Sequence, residues 1–396
     1  MYHPVSLSEN IFWLGANDRK TTLFENLWPI ENGVAYHSYL ILGEKTALVD
    51  AIELSKAPDL IRKIKTLLQG KPLNYLIINH MEPDHGGAIE EIVKHFPDVK
   101  LIGNRMTFSL VKSFFDISEN CQLIQNEETL DLGKFQLKFY LTPWVHWPET
   151  MMTYETHTKT LFSSDSFGSY GTLDGGIFDD EVNFDFYENE MLRYYANIVA
   201  KYSNYVKNAI DSLQNVKIAT IAPAHGIIWR ENIEKVVKLY YKWATNQTEN
   251  GAVIVFGSMY GNTEKMADII GRRLSENGIK NIRIYDSSKT HLSYILRDIW
   301  KYKALILGSC AYNGGLFPAM LQLIETLEHN ETPQRITATF GSSGWNKAGV
   351  KVLNEFLTRM KWNAVTESAE TKGSPDKNAI EKCLTIADKI AEELKK

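Results

Sequence analysis

LNYLIINHMEPDHGG, residues 73–87, sets four ligand-type side chains directly after an apolar run. His80, Glu82, Asp84 and His85 fall within six positions, so two imidazoles and two carboxylates crowd onto one short loop. An apolar run that ends in such a loop reads as a buried strand with chemistry at its end, the usual place for it in α/β architectures. These groups repel or compete for water unless a cation collects them, and imidazole plus carboxylate is a transition-metal ligand set. Neighbouring side chains cannot all converge on one ion. Two ions can divide them, His80 and Glu82 to one, Asp84 and His85 to the other.

Each ion then needs ligands from further along the chain, and three strand-then-loop stretches offer them. His146 lies in TPWVHWPETM, Asp165 in LFSSDSFG and His225 in IAPAHGIIW. The two oxygens of Asp165 suit it to a bridge. Taken singly, a His or Asp after a strand is more often a turn or cap residue; it is the density of the first cluster that argues for metal. The remaining histidines take the ordinary reading: His37 inside a strand, His157 at the hairpin tip YETHTKT, and His3, His95, His291 and His329 among polar or helical neighbours. The acidic run FDDEVNFDFYENE reads as a solvated loop entering a helix.

A chain of 396 residues suggests two domains, perhaps three, and 44% apolar with 23% charged residues is ordinary for a globular protein. The net charge of −5 leaves no basic footprint for nucleic acid. There is no run of 18 apolar residues to span a membrane, and MYHPVSLSENIFWLG lacks a secretory pattern. Cys121, Cys310 and Cys383 form neither a disulfide framework nor a metal knuckle, which fits a reducing cytoplasm.

About the first 240 residues mix short alternating strands such as AYHSYLIL and FQLKFYL with amphipathic helices such as SKAPDLIRKIKTLL. The polar stretch NQTENG, residues 246–251, then breaks the pattern, and the expected domains are 1–247 and 251–396. Beyond it AVIVFG, IRIYD, ALILGS and ITATFGS alternate with helical stretches; a fifth run around WNAV precedes a final helix from about Asp376 to Leu394. This is the rhythm of right-handed βαβ units in a doubly wound parallel sheet.

That second part opens with strand, loop, helix: AVIVFGSMYGNTEKMADII. The loop Ser258, Met259, Tyr260, Gly261, Asn262, Thr263 would present backbone N–H groups and hydroxyl and amide side chains to an anion at the helix N-terminus. It contains no GK[ST], and no GxGxxG follows the strand, so a phosphate monoester such as FMN suits it better than a nucleoside triphosphate. Two more strand-end loops join it: GSCAYNGGLFP, with Ser309, Tyr312, Asn313, Gly314 and Gly315, and GSSGW, with Ser342, Gly344 and Trp345. Their glycines let backbone approach a planar ring that Tyr312 or Trp345 would flank. Each loop alone reads as an ordinary capped turn. Three at successive strand ends argue for a flavin.

HxExDH followed by His146, Asp165 and His225 resembles the metallo-β-lactamase fold in its flavodiiron version, and residues 251–396 resemble flavodoxin, with S-x-x-G-x-T intact. Together the resemblance to the flavodiiron proteins covers essentially the whole chain. The hydrolase motif of that fold is HxHxDH; Glu82 stands where its second His would be, and a carboxylate-rich set favours iron over zinc. The resemblance implies an αββα sandwich, then a flavodoxin-like sheet. It implies two non-haem iron ions: His80, Glu82 and His146 on one, Asp84, His85 and His225 on the other, with Asp165 bridging. It implies reduction of O2 to water or NO to N2O, electrons entering through FMN, and a head-to-tail homodimer, alone or as a dimer of dimers. Asp165 and Glu82 are the residues expected to matter most for catalysis. With no rubredoxin-like CxxC pair present, the electron donor is expected to be a separate rubredoxin-like protein or a reduced deazaflavin. Tyr260 and Trp147 are aromatic candidates for tuning O2 against NO. Two other classes compete: a zinc hydrolase with a regulatory flavodoxin module, which Glu82 opposes, and a non-catalytic electron carrier, which seven intact ligand positions oppose.

Overall fold

The computed structural model describes residues 3–396, which divide into two compact units, residues 3–245 and 246–396. The first unit is built on two principal sheets. One has seven strands, in the order Val5–Ser8, Ile11–Trp13, Tyr39–Leu42, Thr46–Val49, Tyr75–Ile77, Lys100–Gly103, Cys121–Leu123. The other has five, Thr129–Asp131, Gln136–Leu141, Met151–Glu155, Thr160–Ser164 and Thr220–Pro223. Thr46–Val49, Met151–Glu155 and Thr160–Ser164 are buried at every position, so both faces of each sheet are covered where these strands run. Tyr39 of the first sheet meets Phe162 of the second with ring centroids 5.1 Å apart.

Strand direction decides where the loops emerge. Gln136–Leu141 is antiparallel to Met151–Glu155, which is antiparallel to Thr160–Ser164. Two reversals restore the direction, and Thr160–Ser164 runs parallel to Thr220–Pro223. Hence the chain leaves all three of Gln136–Leu141, Thr160–Ser164 and Thr220–Pro223 at one end of the sheet, and His146, Asp165 and His225 follow there. The strand Tyr75–Ile77 delivers His80 from the other sheet, with the Asn79 amide linking the two: Thr153 Oγ1 donates to Asn79 Oδ1 at 2.7 Å, and Met151 N to the Asn79 carbonyl at 3.0 Å.

The second unit has a parallel sheet in the order Ile282–Asp286, Glu249–Gly257, Tyr302–Tyr312, Ile336–Ser343, Ala369–Lys372. Numbered along the chain this is 2-1-3-4-5, the flavodoxin-like winding. Alternate residues of the first strand supply two cores. Ala252, Ile254 and Phe256 pack with the helices Asn262–Glu276 and Lys377–Leu394; Val253 and Val255 pack with Leu292–Lys301, Pro318–His329 and Ala348–Arg359. The strand alternation and the helix count therefore agree on a doubly wound sheet.

Two elements differ from expectation. AYHSYLIL is not one strand: Val34–Tyr36 pairs with Ala16–Asp18, and Tyr39–Leu42 joins the seven-stranded sheet. The break is at His37, whose N–H donates to the Ala224 carbonyl and whose Nδ1 lies 2.9 Å from the Pro223 carbonyl. The fifth strand of the second sheet is AETK, residues 369–372, whereas WNAV makes only the single bridge Thr337–Ala364.

Candidate functional site

The segment after Tyr75–Ile77 turns at Glu82 into one helical turn, Pro83–Gly86, which throws Asp84 and His85 back toward His80. Ser164, at the end of its strand, and Gly226, beside His225, both take left-handed backbone, φ 53° and 75°. A Cβ on Gly226 would sit 2.2 Å from Ser169 Oγ, so only glycine lets this loop close over Asp165 and His225.

All seven predicted metal ligands meet. Asp165 divides them by its two oxygens. Oδ2 lies 3.4 Å from His80 Nε2 and 3.4 Å from His146 Nε2, while Oδ1 lies 2.9 Å from His85 Nε2 and 3.6 Å from His225 Nε2. Glu82 Oε2 joins the first set, 3.0 Å from His146 Nε2 and 3.4 Å from His80 Nε2. Asp84 joins the second, with Oδ1 3.4 Å from His85 Nε2 and Oδ2 3.1 Å from His225 Nε2. Despite this proximity, the Nε2 atoms of all four histidines, Asp165 Oδ2 and both oxygens of Asp84 are buried with no hydrogen-bond partner. Buried polar atoms normally find partners. Here they converge without bonding one another, which is how ligand atoms aimed at a common ion are arranged. The donor set of nitrogens and hard oxygens suits iron.

The outer shell fixes the rings. His80 Nδ1 lies 2.7 Å from Glu149 Oε1, and His225 Nδ1 lies 2.8 Å from the Ala35 carbonyl. Each partner is an acceptor, so each Nδ1 donates and Nε2 is the atom left to face a metal. The Tyr194 hydroxyl donates to Asp165 Oδ1 at 2.8 Å, just before a π-helical stretch, Tyr195–Val199. Trp147 meets the His80 ring edge-on at 5.2 Å. Glu149 and Tyr194 escaped the sequence reading. Glu149 stands in the same quoted loop as His146, whereas Tyr194 has no local signal at all.

Electrostatics reinforce the arrangement. Burial alone lowers an imidazole, but at His80 it is outweighed by Glu149, Glu82 and Asp165, which raise it to about 9. At His85 burial is outweighed by Asp84 and Asp165, which raise it to about 10. Asp165 moves down despite complete burial, held there by His85 and His146. Glu25, exposed as a residue on a neighbouring hairpin, is pushed up to about 8 by desolvation of its carboxyl group and by Glu82.

In the second unit, a cleft opens at the strand ends. Ser258, Met259, Tyr260, Asn262, Asn313, Gly314, Ser342, Gly344 and Trp345 line it, together with Cys310, Ser343, Asn346 and Gly373. Gly261 takes φ +83° as N-cap of the helix Asn262–Glu276, which has no side-chain cap. Its first N–H groups therefore remain for an anion. A Cβ on Gly344 would meet nothing within 4 Å, so the missing side chain leaves room beside the cleft. Tyr260 and Trp345 are each 87% exposed, aromatic faces with nothing yet stacked on them. Cleft, uncapped helix and free aromatic faces fit FMN. Other predicted positions act from below. Thr263 is buried with Oγ1 2.9 Å from Ser342 Oγ, Ser309 Oγ donates to the Cys310 carbonyl, and Tyr312 packs edge-on against Phe317. Gly315 pairs with Tyr312 in a short antiparallel bridge. Gly373 follows the strand AETK, so misplacing that strand hid it.

Residues 34–226 match the model of the ODP family beta lactamase, and residues 254–394 that of flavodoxin. A nitric oxide reductase from Moorella thermoacetica is 31% identical over 99% of both chains. The solved structure of a rubredoxin oxygen:oxidoreductase from Desulfovibrio gigas superposes with a TM-score of 0.95 at 29% identity, covering 99% of each chain. A flavo di-iron protein from Thermotoga maritima, solved as a point mutant, gives 0.89 at 27%, again over 99% of this chain and 99% of that one.

Proposed function

The chain belongs to the flavodiiron family, and from that premise we propose that it is an oxidoreductase reducing O2 to water, NO to N2O, or both. When bound, FMN and a pair of iron ions supply the redox chemistry, FMN passing electrons on singly from an external donor. The protein's part is positional. His80, Glu82 and His146 would hold one ion, Asp84, His85 and His225 the other. Asp165 would span them while Tyr194 steadies its Oδ1. Glu149 and the Ala35 carbonyl keep two imidazoles turned the productive way. Ser258, Asn262, Thr263 and the open N-terminus of Asn262–Glu276 would take the FMN phosphate, with Tyr260 and Trp345 beside the ring.

The observation that carries this reading is Asp165, one buried carboxylate with each oxygen facing a different pair of histidines. Glu82 in a histidine's place directs the site to iron rather than to hydrolytic zinc. The proposal includes a head-to-tail homodimer, or two such dimers together, a separate rubredoxin-like protein or reduced deazaflavin as donor, and a cytoplasmic setting. The three cysteines, all free, suit a reducing compartment. Among the described residues no helix is long and apolar enough to cross a membrane. Anaerobic turnover with a generic reduced rubredoxin, comparing NO with O2, tests the activity. Iron- and FMN-loaded protein that consumes neither gas would sink it.

A further inference from the structure

A two-stranded hairpin, Leu23–Phe24 with Trp28–Pro29, stands beside the metal cluster. Its tip is Glu25 and Asn26, both left-handed at φ 49° and 56°. The tip directs the Glu25 carboxylate inward. A ligand atom of Glu25 lies within 4.8 Å of ligand atoms of both Glu82 and His146. Trp28 Nε1 donates to Glu25 Oε2 at 3.0 Å and orients the group. Two carboxylates brought this close repel unless a cation or a proton lies between them. The third member of the group, His146, is buried, and its Nε2 has no hydrogen-bond partner. An ion held by Glu82 and His146 would satisfy that nitrogen and, from the same position, would offset the repulsion between the two carboxylates.

We infer that Glu25 is a further protein ligand, completing the metal position of His80, Glu82 and His146. The inference rests on the dinuclear reading above and deepens it by making the two positions unequal. Glu25, His80, Glu82, His146 and Asp165 give the first position five protein ligands. Asp84, His85, His225 and Asp165 give the second four, and among the described residues no further carboxylate joins that group. With metal bound, the Asp84 side would then be the less crowded one for a small diatomic. Glu25 sits on the tip of a two-stranded hairpin outside both principal sheets.

The test is calorimetric titration of cobalt(II) into the full-length, FMN-loaded, metal-stripped protein, comparing the parent with Glu25→Ala and Glu25→Gln. Two cobalt ions per chain are expected for the parent. Both variants should weaken one of them by at least about tenfold, the lower end of what metal-site support is worth, and leave the other unchanged. Glutamine keeps the shape and can donate a hydrogen bond to Glu82 but loses the charge. If Glu25→Gln binds like the parent while Glu25→Ala is weakened, Glu25 supplies a hydrogen bond and not a metal bond, and the inference fails. Parent-like binding by both variants also overturns it. A parent chain that binds no cobalt would bring down the dinuclear reading as well, so the two failures are distinguishable.

Discussion

Asp165 is the residue on which both proposed metal positions would depend, since its two oxygens face different histidine pairs. Asp165→Ala should therefore lower occupancy of both ions together, while FMN, held by the other unit, stays bound. Metal analysis beside flavin absorbance checks this, and two irons per chain with full activity would show that the centre is misassigned. At Glu82 the expectation concerns metal identity: Glu82→His, expressed in mixed-metal medium, should shift the bound metal toward zinc and depress reductase activity. Unchanged iron content and rate would remove Glu82 from the ligand set. The histidines make a pH prediction. His80 and His85, raised to about 9 and about 10, and His146, raised well above its ordinary value, favour their protonated forms at pH 7 in metal-stripped protein. Coordination needs the Nε2 lone pair of each, so loading at pH 7 should release about three protons per chain from these imidazoles, and apparent affinity should climb as pH rises toward 9–10. Titration in buffers of different ionisation enthalpy counts them; no release would contradict the assignment. The seven candidate ligands were legible in the sequence because each follows a strand and each is a residue type with few other uses there. Glu149, Tyr194 and Glu25 were not. Their roles come from a loop folding back, a helix and a hairpin tip, positions where Glu and Tyr are commonplace.

The strands and helices were legible to the extent that burial sets their pattern. Alternating Ala252–Phe256 was readable because both faces of that strand are buried by helices. WNAV misled because its Trp362 is buried without belonging to a strand: it packs edge-on against Phe356, ring centroids 5.7 Å apart. The true edge strand AETK is short and polar, with only Ala369 and Thr371 buried, which is how edges avoid pairing with other chains. AYHSYLIL failed for another reason, since the bonds that break it come from Pro223 and Ala224, far along the chain. The loop before Asn262–Glu276 was read correctly as a strand-to-helix turn, and its chemistry yields a prediction. Thr263 is buried in the helix's first turn, against Ser342. Thr263→Glu puts a carboxylate where phosphate is expected, and like charges so placed cost several kcal/mol, roughly a hundredfold or more in FMN affinity. Iron content should not change. Flavin fluorescence titration reads the loss, and unimpaired FMN binding would move the phosphate to another loop.

At the scale of the molecule, each unit carries one half of the machinery, the metal cluster in the first and the flavin cleft in the second. Electrons must cross between units, either within a chain or between two chains. The proposed head-to-tail dimer makes the second route, and a two-fold axis provides it twice with one kind of interface. Two inactive variants separate the routes. One carries Asp84→Ala with His85→Ala and lacks a metal position but keeps its flavin. The other carries Thr263→Glu and lacks flavin but keeps its metals. Each homodimer should be silent. Co-expressed with different tags and purified as a heterodimer, the pair behaves differently under the two routes. Across chains, the flavin of the first variant serves the metals of the second, and about half the native activity per dimer should return, one of two paths being whole. Within chains, neither chain holds both parts and nothing should return. A folded heterodimer that contains one flavin and one complete metal pair yet stays silent would rule out transfer between chains.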